Sequence, residues 1–170
     1  MGVSGSGKTT IAQELSRQLG WEYAEGDEFH PPANVEKMRS GHALTDEDRW
    51  PWLRKIAEWI AWHEDLGKDI IITCSALRVA YRELLRRDNP SVFFVHVDVA
   101  REVLERRLAE RKGHYMPASL LDSQLSTLEP LTPDEPGKAV SGDDSPTDVV
   151  ASVVALLHET GRVRPKEGTP

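Results

Sequence analysis

The stretch GVSGSGKTT at residues 2–10 constrains the fold more than any other part of the sequence. Its spacing matches G-x-x-x-x-G-K-[ST], a loop whose backbone N–H groups surround nucleotide phosphates. Lys8 supplies a positive charge to the β and γ phosphates, and the Thr9 hydroxyl is a ligand for Mg²⁺. The alternative is a flexible glycine- and serine-rich linker. The pattern predicts an ATP and Mg²⁺ site formed by Gly2, Val3, Ser4, Gly5, Ser6, Gly7, Lys8, Thr9 and Thr10.

The chain before this loop is unexpectedly short. A phosphate-binding loop normally connects a buried strand to a helix, and here only Met1 precedes Gly2. The missing strand would lie at the centre of the sheet, where its neighbours would otherwise have unpaired backbone groups. We therefore expect the native chain to carry about six to ten further residues, mostly β-branched, before Met1.

Strand and helix patterns alternate along the rest of the sequence. Residues 8–19 have helical spacing of apolar side chains, whereas 69–74 and 92–97 are runs typical of buried strands. Such alternation predicts an α/β fold with a parallel sheet and helices on both faces. We expect a single domain over residues 1–161 and a frayed tail at 162–170. Ligands of such sheets bind beyond the carboxyl ends of the strands, here near Asp27, Ser75 and Asp98. We read Ser75 as a polar pocket residue and Cys74 as a buried thiol.

A long helix is predicted to begin after Thr45. Thr45 with Asp48 three residues later resembles a capping box, and Pro51 is expected in the first turn of this helix. The tryptophans at 50, 52, 59 and 62 could form a stacking platform, but their helical spacing favours a packed core or a partner interface.

Composition excludes several classes of function. The net charge of -7 argues against a nucleic-acid partner, and the apolar runs are too short to span a membrane. The single cysteine, Cys74, cannot form an internal disulfide, which favours a cytoplasmic protein. The six histidines lack the spacing of zinc ligands. The positive charge that holds an anionic ligand must therefore be local.

Four separate blocks of the sequence resemble one family. They are the loop above, GDEFHPPANVEKMRSGHALTDEDRWPWL at 26–53, CSALRVAYRELLR at 74–86 and RKGHYMPASLLDSQLSTLEPL at 111–131. Together they resemble the gluconate kinases, small P-loop kinases related to shikimate and nucleoside-monophosphate kinases. The resemblance implies MgATP-dependent phosphorylation of gluconate to 6-phosphogluconate, and it suggests a homodimer. A kinase for another small hydroxy acid, such as shikimate, and a non-catalytic ATP-binding module remain alternatives.

Two residues near the end of the first strand are candidates for the acceptor hydroxyl. Asp27 could orient or deprotonate the hydroxyl that attacks the γ-phosphate, or it could hold a water of the Mg²⁺ shell. The alternative for Asp27 is a solvated turn residue. His30 could bind a substrate hydroxyl, or it could be an uninvolved loop residue.

Three basic residues are candidates for the acceptor carboxylate. Arg49 is preferred because a planar guanidinium binds a carboxylate through two hydrogen bonds, although it could instead pair with Asp46 or Asp48. Arg82 could reach the site from the helix after the Cys74 strand, and its alternative is a pair with Glu83 or no partner at all. Lys37 could join them or be a solvated helix lysine.

The resemblance also implies a lid over ATP at about residues 107–128. Arg107 and Arg111 are four residues apart on a predicted helix, so both could face the phosphates. We expect Arg111 to stabilise the transferring phosphoryl group and Arg107 to contact the nucleotide. Interleaved glutamates offer an alternative, a salt-bridged helix surface.

Overall fold

The computed structural model describes residues 1–110 and 120–163. Within them the chain alternates between helices and strands, as the sequence predicts. The elements are α1 (Lys8–Leu19), β1 (Glu22–Glu25), α2 (Pro32–Arg39), α3 (Asp46–Asp65), β2 (Ile70–Thr73), α4 (Val79–Arg86), β3 (Phe94–Asp98), α5 (Arg101–Glu110), α6 (Leu121–Thr127), β4 (Gly137–Ser141) and α7 (Pro146–Glu159). Most of the predicted tail and the middle of the predicted lid, including Arg111, lie outside the described residues.

The long helix α3 begins where the sequence predicts. The Thr45 hydroxyl accepts a hydrogen bond from the Asp48 N–H, and the Asp48 carboxylate accepts one from the Thr45 N–H. This reciprocal cap satisfies two backbone donors that the first turn leaves unpaired. Pro51 was expected in the first turn of this helix, and that expectation is wrong, because the helix already starts at Asp46. Pro51 therefore removes one backbone hydrogen bond inside α3.

The strands form two parallel pairs. Strand β1 pairs with β2, with Tyr23 opposite Ile71, and β3 pairs with β4, with His96 opposite Ala139. Parallel pairing requires crossover connections, and helices supply them. The predicted parallel α/β arrangement is confirmed.

Alternate side chains of β2 pack on opposite faces. Ile70 and Ile72 contact a core built from α3 and α4 with Trp52, Leu53 and Ile56. Ile71 faces a second core formed mainly by α1 and α7. Because strand side chains alternate between faces, a strand that is apolar on both requires helices on both sides. The predicted two-sided covering of the sheet is confirmed.

The main chain at Met1 lies between the two strand pairs. The Met1 amino group donates to the Val95 carbonyl at 2.5 Å, the Val97 N–H donates to the Met1 carbonyl at 3.0 Å, and the Gly2 N–H donates to the Ser75 carbonyl at 3.2 Å. Residues 1 and 2 thus join β3 to the end of β2.

A mainly apolar cavity of about 470 Å³ lies beside Met1 and is lined by residues of β2 and β3. Burial lowers the pKa of the Met1 amino group to about 5, since the charged form loses its hydration there.

The tryptophans of α3 divide between the core and the surface. Trp52 is buried, whereas Trp62 is 56% exposed and the nearby Leu66 is 51% exposed. Their helical spacing suggested a core or a partner interface, and Trp52 belongs to the core. Among the described helices, none has both the length and the apolar character required to cross a membrane.

Candidate active site

A cavity of about 260 Å³ opens at the carboxyl ends of β1 and β2. This is the edge at which ligands of parallel sheets bind. The cavity joins the phosphate loop to polar side chains from distant parts of the chain. Its lining includes Ser4, Gly5, Gly7, Lys8, Thr9, Thr10, Glu25, Asp27, His30, Arg49, Trp52, Ser75, Arg107, Ser123 and Gln124.

The phosphate loop curls against the start of α1. Gly7 precedes the helix with φ of 90°, a left-handed conformation that side chains disfavour. The Lys8 ammonium donates to the Val3 carbonyl at 2.9 Å, so the side chain folds back over its own loop. Helix α1 directs its unpaired N–H groups and the positive end of its dipole toward the cavity, which favours phosphate.

The predicted loop residues divide into lining and supporting positions. Six of them line the cavity: Ser4, Gly5, Gly7, Lys8, Thr9 and Thr10. Val3 and Ser6 are buried beneath the loop, and Gly2 is hydrogen-bonded to Ser75. The first group lines the cavity, whereas Gly2, Val3 and Ser6 support the loop from beneath.

Glu25 is a site residue that the sequence analysis missed. Its carboxylate accepts hydrogen bonds from the hydroxyls of Thr9 and Tyr23, each at 2.7 Å, and also from the Thr73 hydroxyl. Burial alone would raise the pKa of Glu25, but these hydrogen bonds hold it below its usual value, so Glu25 is a carboxylate at neutral pH. The signal available in the sequence was a second acid two residues before Asp27.

Thr9, Glu25 and Asp27 provide the donor set that suits Mg²⁺. A hydroxyl and two carboxylates are hard oxygen ligands, and Mg²⁺ in kinases uses few protein ligands beside phosphates and water. Because the Thr9 hydroxyl donates a hydrogen bond to Glu25, the lone pairs of the Thr9 oxygen remain available for a cation. The described residues contain no cluster of three or more His, Cys, Asp or Glu side chains suited to a metal held by protein alone. The residues thus fit a metal that arrives with the nucleotide.

A 3₁₀ turn at Gly26–Phe29 positions Asp27 at the cavity. A Cβ atom on Gly26 would lie 1.9 Å from the Thr73 carbonyl oxygen, so only glycine allows β1 to end this close to β2. The Trp52 indole N–H donates to the Gly26 carbonyl at 2.7 Å. Contacts to β2 and to α3 therefore fix the residue that precedes Asp27.

His30 lines the same cavity as a neutral imidazole. Its ring stacks on Trp52 with centroids 4.1 Å apart, and its Nδ1 lies 3.3 Å from the Asn34 amide nitrogen. Burial lowers the pKa of His30 to about 4, and the nearby Arg49 acts in the same direction. A neutral imidazole can hydrogen-bond a substrate hydroxyl without adding charge.

Arg49 reaches the cavity without forming an ion pair to any described residue. Its Nη1 donates to the Tyr81 hydroxyl at 2.9 Å. The alternative partners that the sequence offered are engaged elsewhere, since Asp46 pairs with Arg78 at 2.8 Å and Asp48 with Lys37 at 2.5 Å. The guanidinium charge of Arg49 is therefore not neutralised by those carboxylates.

The structure does not bring Arg82 to the cavity. Its side chain is fully buried, and it donates from Nε and Nη2 to Glu135 at 2.5 and 2.9 Å. Further bonds run to the carbonyls of Ala76, Glu129 and Pro130 at 3.1 to 3.2 Å. These five bonds use all five N–H donors of a guanidinium, so none is left for a substrate. Arg82 is thus an ion-paired core residue, and its partner is Glu135 instead of the expected Glu83.

Lys37 also lies apart from the cavity lining, because its ammonium is bound by Asp48. Ser75, expected as a polar pocket residue, does line the cavity. Cys74 beside it is buried, which raises the pKa of its thiol to about 12 and makes it unreactive.

Two described residues from the ends of the predicted lid lie at the cavity, and the lid itself stays a prediction. Arg107 of α5 lines the cavity and donates to the Gly142 carbonyl at 2.8 Å. Gln124 of α6 accepts a hydrogen bond from the Ser4 N–H at 2.6 Å, and no sequence signal indicated that contact. Arg111 falls outside the described residues. Both flanks of the predicted lid therefore contact or line the phosphate end of the cavity.

Comparison with known proteins agrees with this geometry. A family profile described as an AAA domain matches residues 1–131. The fold and the site define the class as a P-loop kinase. A solved sugar kinase from Janibacter sp. HTCC2649 is 51% identical, with a TM-score of 0.89 over 93% of this chain and 91% of that one.

The curated gluconokinase of Gluconobacter oxydans (strain 621H) is 51% identical over 91% of this chain and 86% of that protein. A gluconokinase structure from Sinorhizobium meliloti 1021 is 39% identical, with a TM-score of 0.86 over 95% of this chain and 91% of that one. The chain belongs to the gluconokinase family.

Proposed function

We propose that the protein transfers the γ-phosphoryl group of ATP to gluconate and forms 6-phosphogluconate. The observation that carries the proposal is one continuous cavity that holds a phosphate loop at one end and Asp27, His30 and Arg49 at the other. Similarity to a gluconokinase at 51% identity supports the same acceptor.

At the phosphate end, the loop N–H groups and Lys8 bind the β and γ phosphates. Thr9 would hold Mg²⁺, with Glu25 and Asp27 close enough in the lining to receive its water shell. Mg²⁺, when bound, neutralises charge on the phosphate oxygens. Arg107 is proposed to contact the nucleotide from the flank of the lid, and Arg111 to join it there.

At the acceptor end, Arg49 binds the carboxylate and His30 a hydroxyl. Asp27, which lines the same cavity, orients the attacking hydroxyl or accepts its proton. The reaction is a direct in-line transfer from ATP to the hydroxyl, and no side chain needs to be phosphorylated. We also propose that the protein is cytoplasmic and that it forms a homodimer through the surface around the exposed Trp62.

The experiment is an ADP-release assay with MgATP and either gluconate, shikimate, glucose or no acceptor. Turnover with gluconate and not with the others is the expected result, with Lys8→Met as the inactive control. Turnover with shikimate alone would favour the other acceptor class. A folded protein that binds ATP yet releases no ADP with any acceptor would indicate a non-catalytic module.

A further inference from the structure

Tyr81 and Asp46 form a hydrogen-bonded group behind Arg49. The Tyr81 hydroxyl accepts from Arg49 Nη1 at 2.9 Å and donates to Asp46 Oδ1 at 2.5 Å. Arg78 donates to the other Asp46 oxygen at 2.8 Å. Asp46 and Arg49 belong to α3, Tyr81 belongs to α4, and Arg78 is the residue immediately before α4, so the packing of these two helices brings the group together.

The arrangement of hydrogen bonds in this group determines which of its charges are neutralised. Asp46 is neutralised by Arg78, whereas Arg49 contacts the uncharged oxygen of Tyr81. Burial and the bond to Asp46 raise the pKa of Tyr81, so the hydroxyl stays protonated at neutral pH. Arg49 is thereby held in place by a neutral partner and keeps its positive charge for an anion.

Packing fixes the tyrosine itself. Tyr81 is 1% exposed, and its ring contacts Trp50 edge-on with centroids 5.3 Å apart. The Arg49 guanidinium lies 5.5 Å from the centre of the same ring. A rigid aromatic support behind a guanidinium reduces the rotamer freedom that Arg49 would otherwise lose when a ligand binds.

We propose that Tyr81 is a positioning residue that holds Arg49 for the carboxylate of the acceptor without neutralising its charge. The proposal rests on the proposed function, in which Arg49 binds that carboxylate. It predicts an effect confined to acceptor binding, because Tyr81 contacts neither the phosphate loop nor Glu25 in the described structure.

The test is steady-state kinetics of Tyr81→Phe, which keeps the ring and removes the hydroxyl. We expect the KM for gluconate to rise about fivefold to tenfold, which is the value of one typical intramolecular hydrogen bond, because Tyr81 acts through Arg49 and does not contact the acceptor itself. The kcat and the KM for ATP should stay near those of the wild type. Tyr23→Phe is the matched control, since its hydroxyl binds Glu25 at the phosphate end and its loss should leave the gluconate KM unchanged.

A double-mutant cycle with Arg49→Met separates positioning from general damage. When Arg49 is absent, Tyr81→Phe should cause no further rise in the gluconate KM. An equal rise in both backgrounds, or a fall in kcat with an unchanged KM, overturns the proposal. If Tyr81→Phe is unfolded at the assay temperature, Asp46→Ala removes the acceptor that orients the hydroxyl and should give the same KM-selective rise.

The outcomes also distinguish failure of the proposal from failure of the proposed function. Wild-type protein without turnover on gluconate refutes both. If the Arg49→Met variant turns over gluconate with an unchanged KM, the role of Arg49 is refuted, and with it that of Tyr81. A raised KM in Arg49→Met with a normal KM in Tyr81→Phe refutes the role of Tyr81 alone.

Discussion

The two ends of the cavity are built in different ways. The phosphate end comes mainly from consecutive residues, 4–10, and uses backbone N–H groups and a helix dipole. The acceptor end combines side chains from a turn after β1 and from α3, and it is held by α4 and the Trp52 indole. A contiguous site depends on local conformation, whereas a dispersed site depends on helix packing. Substitutions at the two ends should therefore have different consequences.

The largest expected effect is at the phosphate end. Lys8→Met should lower kcat by roughly 10²- to 10³-fold, because a charge that stabilises the transferring phosphoryl group is lost. Gluconate binding, measured by calorimetry, should change little. Lys37→Met is the matched control, since Lys37 pairs with Asp48 outside the cavity lining, and it should retain activity. A similar loss of kcat in both variants would contradict the division between the ends.

Arg82 should affect stability rather than acceptor binding. Arg82→Met leaves the carboxylate of Glu135 buried without its partner, which should reduce the free energy of unfolding by about 3–5 kcal/mol. Urea denaturation measures the loss. Replacing both residues, as Arg82→Met with Glu135→Met, should recover much of it. If the Arg82→Met variant is stable and only its KM for gluconate is raised, Arg82 instead binds the acceptor.

The Met1 amino group, which directly precedes the phosphate loop, should make the stability of the fold depend on pH. The pKa of the Met1 amino group falls from 8.0 to about 5 in the folded chain. Between these values the unfolded chain binds more protons, so stability rises from pH 5 to pH 8 and is constant above. The slope is at most about 1.4 kcal/mol per pH unit.

An extension of β-branched residues joined to Met1 tests whether the Met1 amino group causes this pH dependence. It converts the amine to an amide, so it should remove this part of the pH dependence and raise Tm by filling the apolar cavity. Thermal melts of the two chains from pH 5 to pH 9 provide the comparison. Identical pH profiles and equal Tm values would contradict the assignment of this pH dependence to the Met1 amino group.

The smallest expected effect is at the acceptor end. Arg49→Met should raise the gluconate KM by about 10- to 30-fold through loss of a charge-assisted contact, with the KM for ATP unchanged. Arg49→Lys keeps the charge but not the planar fork, so its KM should lie between those of Arg49→Met and the wild type. A rise in the KM for ATP in either variant would show that the two ends are not separable.

The sequence by itself determined the phosphate loop, the alternating parallel fold and the start of α3. These features depend on residues close together in the chain: the glycine spacing before Lys8, the β-branched run at 70–72 and the reciprocal cap of Thr45 and Asp48. Local backbone preferences and side-chain periodicity are sufficient to specify them. Asp27 could be placed at the cavity for the same reason, because it follows a strand end.

Only the tertiary structure decided which arginine lies at the cavity. In the sequence Arg49 was the preferred candidate and Arg82 the second. In the structure Glu135 takes all the donors that Arg82 does not give to carbonyls, and Tyr81 leaves the charge of Arg49 available. Glu25 was identified by the hydroxyls of Thr9 and Thr73, which come from different elements. The partners of these side chains lie 16 to 53 residues away in the chain. A buried polar group is defined by its hydrogen-bond partners, and only packing brings partners at such separations together.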